Sequence, residues 1–131
     1  MNKLEPITYI DHSEVREGKL ENLKTAISEL VKLVEANEPR LIAYNAYLTG
    51  GGKRMTVVHV HHDSASLKFH MKVAGPAFPK FAQFIKLTAI DIYGELDDDL
   101  LKQLQDEARM LGSGTVTVHK LHAGFFRLGV R

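Results

Sequence analysis

The 131-residue chain contains no cysteine and no tryptophan. Without thiols it can form neither a disulfide nor a thiolate metal site, and a cysteine nucleophile is excluded. An excess of charge of one sign is also missing, since 17 lysines and arginines stand against 16 aspartates and glutamates. Domains that bind a phosphate backbone or an anionic membrane surface usually carry a clear basic excess. We therefore expect neither nucleic acid nor a membrane as a partner.

Long apolar runs are absent as well. No segment approaches the roughly 18 apolar residues that predict a membrane span, and residues 1–10 lack the apolar centre of a signal peptide. The length suits one compact domain, predicted over residues 1–131 of a cytoplasmic protein. Its core is expected at about 7–94 and a C-terminal extension at about 95–131.

Hydrophobic periodicity predicts the order β-α-β-β-α-β, followed by one more helix and strand. Strands are predicted over residues 7–15, 41–48, 54–62, 87–93 and 115–122, and helices over 19–37, 65–73 and from about 97 to a stop at Gly112. The second helical region breaks at Gly75-Pro76 and resumes as an apolar stripe that includes Phe84 and Ile85. This order predicts an α+β fold, a ferredoxin-like antiparallel sheet with helices on one face.

A sheet covered on one face leaves the other face open. The four tyrosines all fall in predicted strands: Tyr9, Tyr44, Tyr47 and Tyr93. Two helices cannot cover all four rings, so part of the open face should be apolar. This favours a symmetric homodimer. The alternative is a monomer whose C-terminal helix and strand cover that face.

Several short segments occur in the order and spacing of one known family. Residues 15–19 (VREGK) resemble its V-x-P-G-K step, residues 38–44 (EPRLIAY) its E-P-G-x-L-x-Y strand start, and residues 59–63 (HVHHD) stand in place of E-x-W/Y-x-D. The following helix, with His70, resembles the family's A-x-x-x-H helix and leads to Phe78. Over residues 7–94 the chain thus resembles the antibiotic-biosynthesis-monooxygenase-like proteins. The resemblance implies a dimeric α/β barrel, in which two ferredoxin-like sheets pack face to face.

The same resemblance implies a range of activities. Some members oxidise polyphenols or hydroquinones with molecular oxygen and no cofactor, others degrade haem, and others are isomerases or decarboxylases. Haem-degrading members use a tryptophan and a histidine ligand. This chain has no tryptophan and has Ala82 at the ligand's position, so no cofactor is expected. Arg40, His59 and His61 replace the family's usual glycine, acidic and aromatic residues.

Seven histidines are the most distinctive positive feature of the composition. His59 and His61 are two apart on a strand, so their side chains share one face of the sheet. A neutral imidazole accepts protons near neutral pH, and we predict His59 or His61 as the general base acting on a phenolic, polyketide-like or quinol substrate. His70 is the third predicted catalytic residue. Residues predicted to bind this small-molecule substrate are His12, Tyr44, Asn45, Phe69, Phe78 and Phe81.

Two alternatives remain open for these histidines. They can be hydrogen-bonded and inert, which would make the chain a non-catalytic, ligand-binding or stress-related protein on the same dimeric scaffold. They can also bind a metal, because His59-x-His61-x-Asp63 begins like the metallohydrolase motif H-x-H-x-D-H. Ser64 stands where that motif needs its last histidine, so no metal is predicted. The remaining three histidines are expected to be structural or exposed: His62, His119 and His122.

Overall fold

A computed structural model describes residues 5–127, so the ends of the predicted domain, 1–4 and 128–131, lie outside the described residues. Five strands form one sheet in the order β2-β3-β1-β4-β5. The strands are β1 (Ile7–Val15), β2 (Leu41–Thr49), β3 (Arg54–His61), β4 (Ile85–Tyr93) and β5 (Gly112–His119). The helices are α1 (Leu20–Asn37), α2 (Ser64–Ala74), α3 (Phe78–Phe81) and α4 (Asp98–Leu111), with a short 3₁₀ turn at Gly75–Ala77.

The first four strands are antiparallel, with β1 between β3 and β4 and with β2 outside β3. Helix α4 then returns the chain so that β5 pairs in parallel with β4. The predicted α+β fold, a ferredoxin-like core with an added helix and strand, is confirmed. Within residues 5–127, no helix is long and apolar enough to cross a membrane.

An aspartate immediately precedes both α2 and α4 as the cap of the helix. The Asp63 carboxylate accepts a hydrogen bond from the Ser66 backbone N–H at 2.9 Å, and the Asp97 carboxylate accepts one from the Leu100 N–H at 2.8 Å. An aspartate in this position binds backbone groups that the first helical turn leaves unpaired. The cap fixes where α2 starts relative to β3, and thereby where its histidine meets the histidines of that strand.

The bounds of two strands, β4 and β5, differ from those expected. Ile85 opens β4 instead of closing a helical stripe. Gly112 opens β5 instead of following the helix as a cap, and β5 ends at His119, so His122 lies beyond the strand. A Cβ atom on Gly112 would lie 2.6 Å from the Leu87 backbone nitrogen, closer than real Cβ contacts come. Glycine therefore lets the chain pass from α4 directly into pairing with β4.

The two faces of the sheet differ sharply in exposure. Tyr9 is buried beneath the helices and Tyr44 is packed against the same core, whereas Tyr47 and Tyr93 on the opposite face are 53% and 44% exposed. The C-terminal helix does not cover that open face, because Glu107 of α4 contacts the buried Tyr9. The C-terminal extension thus widens the sheet and thickens the helical layer, and its residues Leu121, His122 and Phe126 line a cavity with Thr8 and Tyr93 at one end of the open face.

Candidate functional site

The structure brings together the three histidines that the sequence singled out. His59 and His61 point from β3 toward the helices, and the His70 side chain on α2 packs against them. The ring centroids of His59 and His70 are 4.7 Å apart, and those of His59 and His61 are 5.0 Å apart. All three side chains are buried. Their arrangement follows from the two-residue alternation of β3 and from the position at which Asp63 starts α2.

A hydrogen-bonded chain connects two of these rings to α2. His59 Nδ1 lies 2.8 Å from His61 Nε2, and His61 Nδ1 lies 2.9 Å from the Ser66 Oγ atom. In each contact one atom must donate and the other accept, so the two rings and the hydroxyl orient one another. A neutral histidine has one N–H, and this chain can therefore run in either direction without adding a charge.

The third histidine has a different partner. His70 Nδ1 donates to the Glu38 carboxylate at 2.9 Å, and both side chains are 2% exposed. Glu38 lies just after α1, next to Pro39, so this contact fastens the end of α1 to α2. A buried carboxylate without such a donor would be strongly destabilising.

Burial holds the paired histidines in the neutral form. Removal from water lowers the pKa of His59 well below its usual value, and the neighbouring His70 and His61 rings lower it further. The same burial, with the nearby His70, lowers the pKa of His61 to about 3. Near neutral pH an acceptor this weak gains little by taking a proton from a substrate.

A second polar group lies a short way along the sheet. Asp11 from β1 and Glu107 from α4 line a small cavity of about 40 Å³, which we call the acid chamber. Its other lining residues are apolar or aromatic: Ile27, Leu30, Tyr44, Met55, Val57, Phe78, Phe81, Ile85, Leu87 and Leu111. A water molecule occupies about 30 Å³ of liquid, so the chamber suits a molecule of that size and not an aromatic ring.

The carboxyl groups of the acid chamber have pKa values close to neutral pH. Burial raises the pKa of Asp11 to about 7, and the Val57 backbone amide offsets only part of that rise. Burial and the nearby Asp11 raise the pKa of Glu107 to about 8, although Glu107 also accepts a 3.4 Å hydrogen bond from the Tyr9 hydroxyl. These two carboxyls, Glu107 buried and Asp11 partly buried, thus retain protons that exposed carboxyls would lose.

A surface groove between α1 and β2 runs beside the acid chamber. Its two parts measure about 700 Å³, toward Leu48, and about 570 Å³, toward Pro39. Tyr44 lines both parts of the groove and also the acid chamber. Ile27 and Met55 are likewise shared by the larger part and the chamber. Tyr44 therefore stands between an open groove and the buried carboxyls.

The remaining predicted substrate-binding residues divide into two groups. Phe78 and Phe81 line the acid chamber, and Asn45 lines the groove. His12 lies away from both, on the open face, with its Nε2 atom 3.5 Å from the Asp91 carboxylate. Phe69 is 47% exposed on α2.

The sequence pattern was not used to predict Asp11 or Glu107 as site residues, although the position of each in its strand or helix indicates that it lies on the buried side. Asp11 is two residues after the buried Tyr9 in a strand, so alternation places it on the same covered face. Glu107 lies three residues after Leu104 and four before Leu111, on the apolar stripe of α4. A charged residue on the buried side of a strand or helix needs a partner or a raised pKa. Within the described residues 5–127, no group of three or more metal-binding side chains is arranged to hold a metal ion.

Comparison with known proteins finds likeness in structure only. No protein-family model matches the chain, and no curated protein matches it in sequence. Among solved structures, MupZ from Pseudomonas fluorescens is 16% identical with a TM-score of 0.73, and the match covers 96% of this chain and 98% of MupZ. A protein from Caulobacter crescentus, named as a candidate antibiotic biosynthesis monooxygenase, is 16% identical with a TM-score of 0.63, covering 72% and 92% of the two chains.

A third similar structure is SnoaB, a cofactor-independent oxygenase from Streptomyces nogalater. It is 9% identical with a TM-score of 0.59, and the match covers 71% of this chain and 95% of SnoaB. Identities this low establish the fold and leave the reaction open. The chain shares the α+β fold of these three structures, as its sequence motifs predict.

Proposed function

We propose that this protein is a small cofactor-independent oxygenase acting on an electron-rich aromatic or quinol-type substrate. The acid chamber carries this proposal, because it sets two carboxyl groups with pKa values near neutrality beside a groove of ligand-binding size. Ligand pockets commonly measure about 300–1,000 Å³. The fold shared with SnoaB, a cofactor-independent oxygenase, supports the same reaction class.

The two carboxyls supply an acid and a base in one site. Both pKa values lie near neutral pH and Asp11 raises that of Glu107, so one carboxyl can keep a proton while the other accepts one, and we assign the accepting role to Asp11 and the donating role to Glu107. General bases work best when their pKa lies near the working pH. Asp11 thus takes the role that the sequence suggested for His59 or His61, whose pKa values are too low.

For a substrate with a benzylic CH₂ group, the steps balance without a further oxidant. Asp11 accepts one C–H proton, and the carbanion passes an electron to molecular oxygen. The two radicals combine into a carbon-bound peroxide anion, which Glu107 protonates. Loss of the second C–H proton and of hydroxide then gives a carbonyl and one water. In this proposal the ring stays in the groove at Tyr44, and only the reacting CH₂ group reaches past Tyr44 into the acid chamber.

The histidine cluster acts as a positioning element in this proposal. The Tyr44 ring centroid lies 5.1 Å from those of both His59 and His70. His59 is hydrogen-bonded to His61, which in turn contacts Ser66, and His70 is hydrogen-bonded to Glu38. These contacts hold Tyr44 in place beside the acid chamber.

Oxygen uptake tests the assignment. Anthrones and hydroquinones should consume oxygen with the wild-type protein, and Asp11→Asn should lower kcat/KM by about 100-fold or more, the usual contribution of a general base. Asp99→Asn, an exposed carboxyl in the first turn of α4, is the matched control and should keep the wild-type rate. Equal rates for Asp11→Asn and wild type would reject the base. No uptake with any substrate would favour the non-catalytic ligand-binding alternative.

We further propose a homodimer joined through the open face, where Tyr47 and Tyr93 are exposed. The C-terminal helix lies on the opposite side, which leaves that face available to a second copy. Light scattering should give about twice the monomer mass of 14.7 kDa. A mass near the monomer value at micromolar concentration would overturn this assembly.

A further inference from the structure

The groove lies between α1 and the edge strand β2, whose helix-facing side is only partly covered. Tyr44, Ala46 and Leu48 face the helices and pair with His59, Val57 and Met55 of β3. Those three partners are at most 4% exposed, whereas Leu48 is 41% exposed. The helix-facing side of β2 thus forms an uncovered, mostly apolar floor.

One face of α1 lines the side of the groove opposite β2. Ile27 and Val31 supply apolar contacts, and Lys24, Ser28 and Lys32 follow at intervals of four residues along the same side. The two lysines are eight residues apart, or about 12 Å along a helix.

The charges divide the groove into two halves. The larger part, toward Leu48, is lined by both lysines and by no acidic residue. The smaller part, toward Pro39, is lined by Glu35 and Glu38. Lys24 has one exposed partner, Glu21, at 3.4 Å. No salt bridge found within residues 5–127 includes Lys32, so its charge is available to a ligand.

We infer that the groove binds an elongated, largely apolar molecule that carries an anionic end group. The anionic group lies against Lys24 and Lys32, the apolar body lies on β2, and the uncharged reacting end reaches Tyr44 and the acid chamber. This inference names the substrate class of the proposed oxygenase and rests on that proposal for the reacting end. The acidic half of the groove disfavours the reverse orientation, because Glu35 and Glu38 would repel the anion.

A matched pair of fluorescent probes tests the anionic group. Dansylaminoundecanoic acid and its methyl ester share one apolar chain and differ only in the charge at one end. At low salt the acid should bind about five- to tenfold more tightly than the ester, as expected for two partly exposed ion pairs. The preference should shrink at high salt, because ions screen exposed charges.

Substitutions test whether the preference for the acid depends on Lys24 and Lys32. In Lys24→Gln/Lys32→Gln the acid should lose its advantage while the ester binds as before. Lys102→Gln, an exposed lysine on α4, is the matched control and should retain the full preference. Equal binding of acid and ester by the wild type, or an unchanged preference in the double variant, would overturn the inference. If neither probe binds, the proposal that the groove is a ligand-binding site is wrong.

The probe measurement needs no turnover, so its outcome is separate from that of oxygen uptake. A charge preference that depends on the two lysines supports the groove even if no substrate consumes oxygen, in which case the oxygenase proposal alone fails. Oxygen uptake that depends on Asp11, together with equal binding of acid and ester, leaves the oxygenase proposal and removes the anionic substrate class.

Discussion

The buried carboxyls and histidines should oppose each other in the pH dependence of stability. Asp11 and Glu107 have pKa values of about 7 and 8 when folded, against ordinary values of 3.8 and 4.5. Their contribution to stability is therefore full below about pH 4 and is lost as the pH rises through 7 and 8. The pKa values of His59 and His61 fall on folding, so their contribution is full above pH 6.5 and is lost as the pH falls toward 3.

Between pH 5 and 6 these two effects cancel. The folded protein holds two protons on the carboxyls and none on the two imidazoles, whereas the unfolded chain holds two on the imidazoles and almost none on the carboxyls. The free energy of unfolding changes with pH in proportion to the difference in bound protons. For these four groups the difference is close to zero, so their combined slope is nearly flat.

Asp11→Asn/Glu107→Gln should reveal the hidden histidine effect. The amides cannot titrate, and the imidazoles then act alone. Each proton contributes about 1.4 kcal/mol per pH unit, so the free energy of unfolding of the double variant should rise about 2.5 kcal/mol more steeply per pH unit than that of the wild type between pH 5 and 6. Urea unfolding followed by circular dichroism at several pH values measures both slopes.

The matched control is Glu95→Gln/Asp99→Asn, which converts two exposed carboxyls to amides. Its slope should stay within about 0.5 kcal/mol per pH unit of the wild-type slope, because exposed carboxyls gain little from folding. If the slope of the chamber variant equals that of the wild type, the chamber carboxyls do not hold protons in the folded state. The acid-base roles proposed for them would then be wrong.

Three further predictions concern packing and assembly. Gly112→Ala should lower the free energy of unfolding by about 1–3 kcal/mol in urea titrations because its Cβ would press on the Leu87 backbone, whereas Gly75→Ala meets no atom within 4 Å and should cost less than half as much. His70→Leu leaves the buried Glu38 carboxylate without its donor and should cost about 3–5 kcal/mol, and a loss below 1 kcal/mol would contradict the paired arrangement. Tyr93→Glu places a charge on the open face and should shift the light-scattering mass toward the monomer, whereas an unchanged dimer mass would exclude that face as the interface.

Local periodicity predicted most of the fold because each element has one buried side. Strand β1 occupies the expected residues 7–15, and α1 starts one residue later than expected. The missed boundaries depend on contacts between distant segments. Gly112 enters a strand without an intervening loop because Leu87, far away in sequence, lies directly beneath it.

The candidate site was only partly predictable for the same reason. Alternation on one strand was enough to place His59 beside His61, and a family-like spacing brought in His70. Tyr9 and Glu107 are 98 residues apart, and only the packing of α4 over β1 reveals that they meet. Sequence also could not supply the degree of burial, which turns an imidazole of ordinary pKa into one that stays neutral.

Burial acts on the two kinds of group in opposite directions, and this assigns their roles. Any group in this dry interior is driven toward its neutral form. For His59 and His61 the neutral form is the deprotonated one, and their lowered pKa values leave a hydrogen-bonded chain that resists taking up a proton. For Asp11 and Glu107 the neutral form is the protonated one, and their raised pKa values fall where a small change in surroundings moves a proton. A ligand in the groove that displaces water beside Tyr44 would alter those surroundings. We therefore assign proton transfer to the two carboxyls and a positioning role to the histidines.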